Sequence, residues 1–147
     1  MVRVSRRWAF TLVEILIVVL ILTILAAAII PQFTDSTGDA KQSVMMHNLA
    51  TIRLQTGVYC AQHGGLFPTS NVVTQLTSAT NADGTTSGTP TLGPYVVMIP
   101  PNPQFDDPTK NSLVSVVTTD PAANISTHGW IYNSTTGRFF AGTDITK

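Results

Sequence analysis

Among the side chains that could do chemistry, Glu14 stands apart: it is a carboxylate near the start of an otherwise apolar run, FTLVEILIVVLILTILAAAII, over residues 10–30. A charge in hydrocarbon is costly unless it faces a cationic group, so this position predicts a partner rather than a catalytic task. The one adjacent acidic pair is Asp106-Asp107, in the proline-studded stretch Pro100-Pro101-Asn102-Pro103-Gln104-Phe105-Asp106-Asp107-Pro108. Oxygen ligands in a rigid loop could hold calcium, with backbone carbonyls completing the about six to eight positions that ion takes. The plain alternative is a solvated turn, because no EF-hand spacing accompanies the pair. His47, His63 and His128 share no metal-ligand spacing with one another or with Cys60. No GxSxG, HExxH, P-loop or dinucleotide fingerprint occurs, so no enzymatic activity is expected.

The single cysteine, Cys60, excludes an intrachain disulfide, a thiolate zinc cluster and a CxxC redox pair. In the helical run Tyr59-Cys60-Ala61-Gln62 it reads as a small buried hydrophobe. His63 reads as a helix-terminus residue favoured by the dipole, and His128 as a strand-edge residue. Asn124-Ile125-Ser126 and Asn133-Ser134-Thr135 match the glycosylation acceptor pattern.

The elements that carry these residues follow from hydrophobic patterning. Residues 10–30 form roughly 31 Å of helix at 1.5 Å per residue, the thickness of a bilayer's hydrocarbon core. Arg3, Arg6 and Arg7 precede this run and no basic cluster follows it, which places the amino terminus in the cytoplasm and the rest outside. Beyond Pro31 the helix continues, with Val44, Met45, Leu49, Ile52 and Tyr59 on one face, until His63-Gly64-Gly65 and Pro68 stop it. One helix over residues 10–62, roughly 80 Å long, is expected, bending at Pro31 and Gly38. Strands are expected at 96–99, 113–117, 130–132 and 138–141, the last two joined by a hairpin over 133–137, with a further short helix around 71–80. Residues 81–94 read as a polar loop. The fold class is therefore α+β, a long amino-terminal helix packed on a small antiparallel sheet.

Charged residues make up only 11% of the 147 residues, about half the usual share, and from Phe10 onward eight acids face five bases. There is no basic stripe with interleaved aromatics, so no direct nucleic-acid partner is expected. A competing reading is a secretory signal peptide cut after Ala26-Ala27-Ala28, which would release a soluble binding protein starting at Ile29. Glu14 in the apolar run and a helix that continues past such a cut both count against it.

Arg6-Arg7-Trp8-Ala9 followed by Phe10-Thr11-Leu12-Val13-Glu14-Ile15-Leu16-Ile17-Val18-Val19 resembles the class III leader and amino-terminal helix of type IV prepilins and type II secretion pseudopilins. The resemblance implies cleavage by a membrane-bound prepilin peptidase between Ala9 and Phe10 and N-methylation of Phe10. Glu14, fifth from the cut, and Pro31, twenty-second, fall where that family places its assembly glutamate and helix kink. Ala9 stands where the family nearly always has glycine; its small side chain is the nearest substitute, and processing is still expected. Later segments, His63-Gly64-Gly65-Leu66-Phe67-Pro68-Thr69, Gly93-Pro94-Tyr95, Ile99-Pro100, Asn102-Pro103 and Gly129-Trp130-Ile131-Tyr132, are similar in order to the carboxy-terminal domain of major pseudopilins.

What the resemblance implies is a pilin-like fold with a leader at 1–9, a transmembrane and filament-core helix at 10–30, its amphipathic continuation at 31–62 and a globular domain at 63–147. It implies a structural subunit of a pseudopilus in the inner membrane, single-pass, with the carboxy-terminal domain periplasmic. Its partners would be copies of itself, the prepilin peptidase, the inner-membrane secretion platform and minor pseudopilins. A type IV pilin serving adhesion, motility or DNA uptake is the rival within the same family. No cofactor is required. Calcium is the one candidate, because major pseudopilins resemble one another in carrying a calcium site in the carboxy-terminal loop, and Asp106 and Asp107 are the residues available for it.

Overall fold

The computed structural model describes residues 10–123 and 125–144, with the backbone alone at 30–36, 125 and 144. The leader residue Ala9 lies outside the described residues. Two compact units divide between Asp39 and Ala40. The elements are α1 (Leu12–Gln62), α2 (Val72–Thr77), β1 (Val114–Val117), β2 (Ile125–Ser126), β3 (Trp130–Asn133), β4 (Arg138–Ala141) and β5 (Thr143–Asp144).

Within the first unit, Met1–Asp39, α1 carries the apolar span Leu12–Ile29 and then a more polar stretch to Asp39. The helix begins two residues later than the apolar run, because Thr11 caps it instead of joining it. It runs without interruption through Pro31, whose backbone is helical and whose side chain lies outside the description. One polar interruption is satisfied locally: the Thr23 hydroxyl donates to the Val19 carbonyl at 2.7 Å.

The second unit spans Ala40–Lys147 and includes the carboxy-terminal part of α1. Its inner stripe is Met45, Leu49, Ile52, Thr56, Tyr59 and His63, alternating steps of four and three that keep one helical face inward. Val44, expected on that face, is half exposed, because it sits one residue, about 100° of helix, away from Met45. Ile52 and Tyr59 meet Val72 and Leu76 from α2, Ile99, Trp130 and Tyr132 from β3, and Phe139 from β4.

β3 is the centre of a three-stranded sheet in the order β1-β3-β4, and all four of its residues are buried. β3 and β4 are antiparallel, with Trp130 opposite Ala141 and Asn133 opposite Arg138. Their hairpin closes through Gly137, whose φ of 68° favours glycine and whose missing Cβ leaves room for the Phe67 ring. The expected wholly antiparallel sheet is corrected: β1 lies parallel to β3, with Val114 opposite Trp130. The connection over 118–129 has the length of about a dozen residues that returns a chain to the same end of a sheet. β2 and β5 form a separate parallel pair.

The strand expected at 96–99 is absent. The N–H groups of Tyr95 and Val96 both donate to the Leu76 carbonyl, at 2.9 and 3.0 Å, which bends the chain instead of extending it. Pro100 and Pro101 then supply no ladder donors. Loops are pinned to the core by polar contacts: Trp130 Nε1 donates to Pro100 O at 2.7 Å, Tyr132 Oη to Pro68 O at 2.7 Å, and Arg53 through Nε and Nη2 to Phe139 O at 2.9 and 2.6 Å. Among the described residues no buried side-chain polar atom lacks a partner.

Candidate functional site

The start of α1 is a reciprocal cap. Thr11 Oγ1 accepts the Glu14 N–H at 3.2 Å, while Glu14 Oε2 accepts from the Thr11 N–H and from the Thr11 hydroxyl, each at 2.9 Å. This is the capping box, in which the cap residue and the third helical residue satisfy donors that the first helical turn leaves open. Its signal in the sequence is a threonine three residues before a glutamate at the head of an apolar run, and it gives Glu14 a local role beside the cationic partner its charge predicts. Both residues lie on the carboxy-terminal side of the expected cut, so the cap persists in a chain that begins at Phe10.

Beyond the cap, Leu12–Ile29 is long and apolar enough to cross a membrane, and none of it is buried within the chain. Phe10 is 81% exposed. The surface of this helix is therefore a row of unpartnered aliphatic side chains interrupted near its start by one carboxylate that already has a local role.

Of the two acidic candidates, Asp107 is engaged within its own loop. Asp107 Oδ1 accepts from the Thr109 hydroxyl at 2.6 Å and its N–H at 2.9 Å, and Oδ2 lies 3.1 Å from Lys110 Nζ. The Thr109 hydroxyl, the Thr109 N–H and then Lys110 pull the Asp107 carboxyl down to about 2. Among the described residues no three His, Cys, Asp or Glu side chains are grouped to hold a metal ion. In this arrangement both oxygens of Asp107 are engaged, one closing a turn and the other facing an ammonium group, so a calcium ion held by Asp107 would have to displace Lys110.

Two measurements follow from this geometry. A folded-state pKa below the ordinary value of about 3.9 means that the turn's contribution is fully present above about pH 4 and is lost as pH falls through about 2. A carbon-detected NMR titration should therefore place the Asp107 midpoint near 2, and Lys110→Met should raise it. With Lys110 in place, millimolar calcium should leave the melting temperature unchanged, whereas an upward shift would show that the ion displaces the ammonium and would restore the calcium reading.

The remaining candidates are structural. His63 is buried at the end of α1, with Nδ1 2.8 Å from Tyr59 O and Nε2 3.0 Å from Thr80 Oγ1, and its ring stacks on Tyr59 with centroids 3.7 Å apart. It is thus a core residue as well as a helix-terminus one. Cys60 is half-buried, more open than expected. His128 lies in the turn before β3, its Nδ1 2.9 Å from Thr127 Oγ1. Asn133 cannot serve as a glycan acceptor in the folded chain: it is 1% exposed, and its amide donates to Asp120 Oδ1 at 2.7 Å. Asn124 lies outside the described residues.

In the sequence Asn102 is one residue of a proline-rich loop with no signal of a special role. It is fully buried, and its Nδ2 donates to Gly129 O at 2.9 Å and Gly142 O at 3.0 Å while its Oδ1 accepts the Gln104 N–H at 3.0 Å. No local periodicity could have shown this, since the partners lie 27 and 40 residues away.

No protein-family model, curated protein or solved structure matches the chain.

Proposed function

We propose that this chain is the structural subunit of a type II secretion pseudopilus, which polymerises through its amino-terminal helix to drive protein export across an outer membrane. The observation that carries the proposal is α1 itself. A single helix, Leu12–Gln62, offers a wholly exposed apolar first part and then contributes a buried stripe to the globular unit. The capping box engages Glu14 through Oε2, and its negative charge is left for a cationic partner to meet. A helix that must leave lipid and pack among copies of itself benefits from a charge that selects one axial register, because apolar faces discriminate poorly between registers.

On this reading the chain is made as an inner-membrane precursor with its amino terminus cytoplasmic and its globular unit periplasmic. The prepilin peptidase cuts between Ala9 and Phe10 and methylates Phe10. The new amine is then the cation that Glu14 of a neighbouring copy meets. Assembly proceeds on the inner-membrane secretion platform with minor pseudopilins, and no catalytic residue is involved. The aliphatic surface of Leu12–Ile29 is served by lipid before assembly and by neighbouring helices after it.

Intact mass of membrane-extracted protein tests this directly. The expected chain lacks residues 1–9 and carries one added methyl group on Phe10. A mature terminus at Ile29 would replace the proposal with that of a released soluble protein.

A further inference from the structure

A polar cleft of about 400 Å³ lies between the turn before α2, the first turn of α2 and the loop around Gly84. Its floor is Gln75, only 6% exposed, whose Oε1 accepts from Thr69 N at 2.8 Å and Thr69 Oγ1 at 3.1 Å and whose Nε2 donates to Gly84 O at 2.9 Å. One side chain thus clips the two walls together. Gly84 has φ of 80°, and a Cβ there would come within 2.6 Å of Tyr59 Oη and 2.8 Å of Gln75 Nε2, so the loop lies as close to the floor as bare backbone allows. The loop is also internally braced. Asp83 Oδ1 accepts from Thr85 N at 3.0 Å and Thr85 Oγ1 at 2.7 Å, and the Asn81 amide donates to Thr85 Oγ1 at 2.9 Å and Ser87 O at 2.7 Å.

Apart from Asp83, the side chains that build these walls are distinct from those that face the opening. The side chains of Asn71, Thr74, Thr86 and Ser87 line the cleft and make no hydrogen bond to any other described residue. The Thr85 N–H and hydroxyl hold the Asp83 carboxyl below the usual carboxylate range, so it is an acceptor at neutral pH.

The composition of the lining selects the ligand class. No Lys, Arg or His lines the cleft, which disfavours an anion. A single carboxylate, half committed to its own turn, falls short of the about six to eight oxygens a calcium ion gathers. No aromatic or large aliphatic side chain lines it, which disfavours a lipid chain or a nucleobase. What remains is a neutral molecule dense in hydroxyl groups, for which hydroxyl, amide and carboxylate side chains supply matched donors and acceptors.

We propose that this cleft binds a neutral saccharide, with Asn71, Thr74, Thr86 and Ser87 exchanging hydrogen bonds with its hydroxyl groups and Asp83 accepting from an adjacent pair. This rests on the geometry of the globular unit and is independent of the pseudopilus reading.

The test is an amide-shift titration of the full chain in detergent micelles. The probes are glucose, galactose, N-acetylglucosamine and the β-linked disaccharide and tetrasaccharide of N-acetylglucosamine. Saturable shifts confined to residues 69–75 and 81–87, with a millimolar dissociation constant, are expected. Affinity rising with chain length identifies a polymer as the source of the sugar, and affinity independent of length identifies a free sugar. Asn71→Ala and Thr86→Val remove facing groups without touching the walls, and each should weaken binding roughly two- to tenfold while leaving the melting temperature unchanged. Absence of shifts with every probe, shifts outside the cleft, or unaltered binding in both folded variants would overturn the proposal.

Discussion

Asn102→Asp is expected to destabilise the globular unit by about 3 to 5 kcal/mol at neutral pH, the range for a buried charge left without a partner. The Asn102 amide nitrogen faces the carbonyls of Gly129 and Gly142, so an aspartate oxygen in its place would meet two acceptors in a site that is fully buried. Asn102→Ala should cost about 2 to 4 kcal/mol by removing the same donors without adding a charge. The two variants should also differ in their pH dependence. An acid placed against carbonyls has its folded-state pKa raised, so the aspartate variant is relatively most stable below the unfolded value of about 3.9 and loses stability as pH rises. Thermal unfolding of the full chain in micelles at acid and neutral pH reads both effects. A melting temperature like that of wild type for Asn102→Asp at neutral pH would show that the 100–105 loop does not depend on this residue.

Filament yield should fall roughly tenfold or more in Glu14→Leu while membrane insertion is at least as good as in wild type, since the change removes a charge from an apolar segment. The capping box makes one substitution uninformative, because leucine removes both the cap and the charge. Glu14→Gln separates them: glutamine still reaches back to the Thr11 N–H but carries no charge. Thr11→Ala does the reverse, abolishing the reciprocal cap and keeping the carboxylate. If charge pairing with a neighbouring amine sets the register, Glu14→Gln should assemble as poorly as Glu14→Leu and Thr11→Ala should assemble nearly normally. The opposite ordering would make Glu14 a helix-terminus residue and remove its role in assembly. Membrane fractionation and sheared-filament yield, measured side by side, distinguish a failure to insert from a failure to assemble.

The cap and the cleft show two ways in which function-bearing geometry escapes a sequence reading. Thr11 and Glu14 are three residues apart, so their contact is legible in the sequence, but a charge in an apolar segment points first to a distant partner and only second to a local backbone role. The saccharide cleft was hidden for a different reason. Its facing residues, Asn71, Thr74, Thr86 and Ser87, belong to two segments that look like an unremarkable polar helix start and a polar loop. They become one surface only because Gln75 reaches across to Gly84.

The sequence by itself determined several features governed by local periodicity and composition. The apolar length that makes Leu12–Ile29 able to cross a membrane, the stop at His63-Gly64-Gly65, the β4 bounds and the β3–β4 hairpin around Gly137 all follow from side-chain spacing and glycine's freedom at positive φ. Tertiary structure alone decided that β1 runs parallel to β3, because strand direction depends on the path of the 118–129 connection and not on the alternation within either strand. It alone turned residues 96–99 from an apparent strand into a bent loop, because the Leu76 carbonyl captures two successive N–H groups that a sheet would have used. It also decided that Asp107 answers to Thr109 and Lys110, since the sequence shows that two acids are adjacent but only the folded loop shows which cation and which donors the oxygens of Asp107 meet.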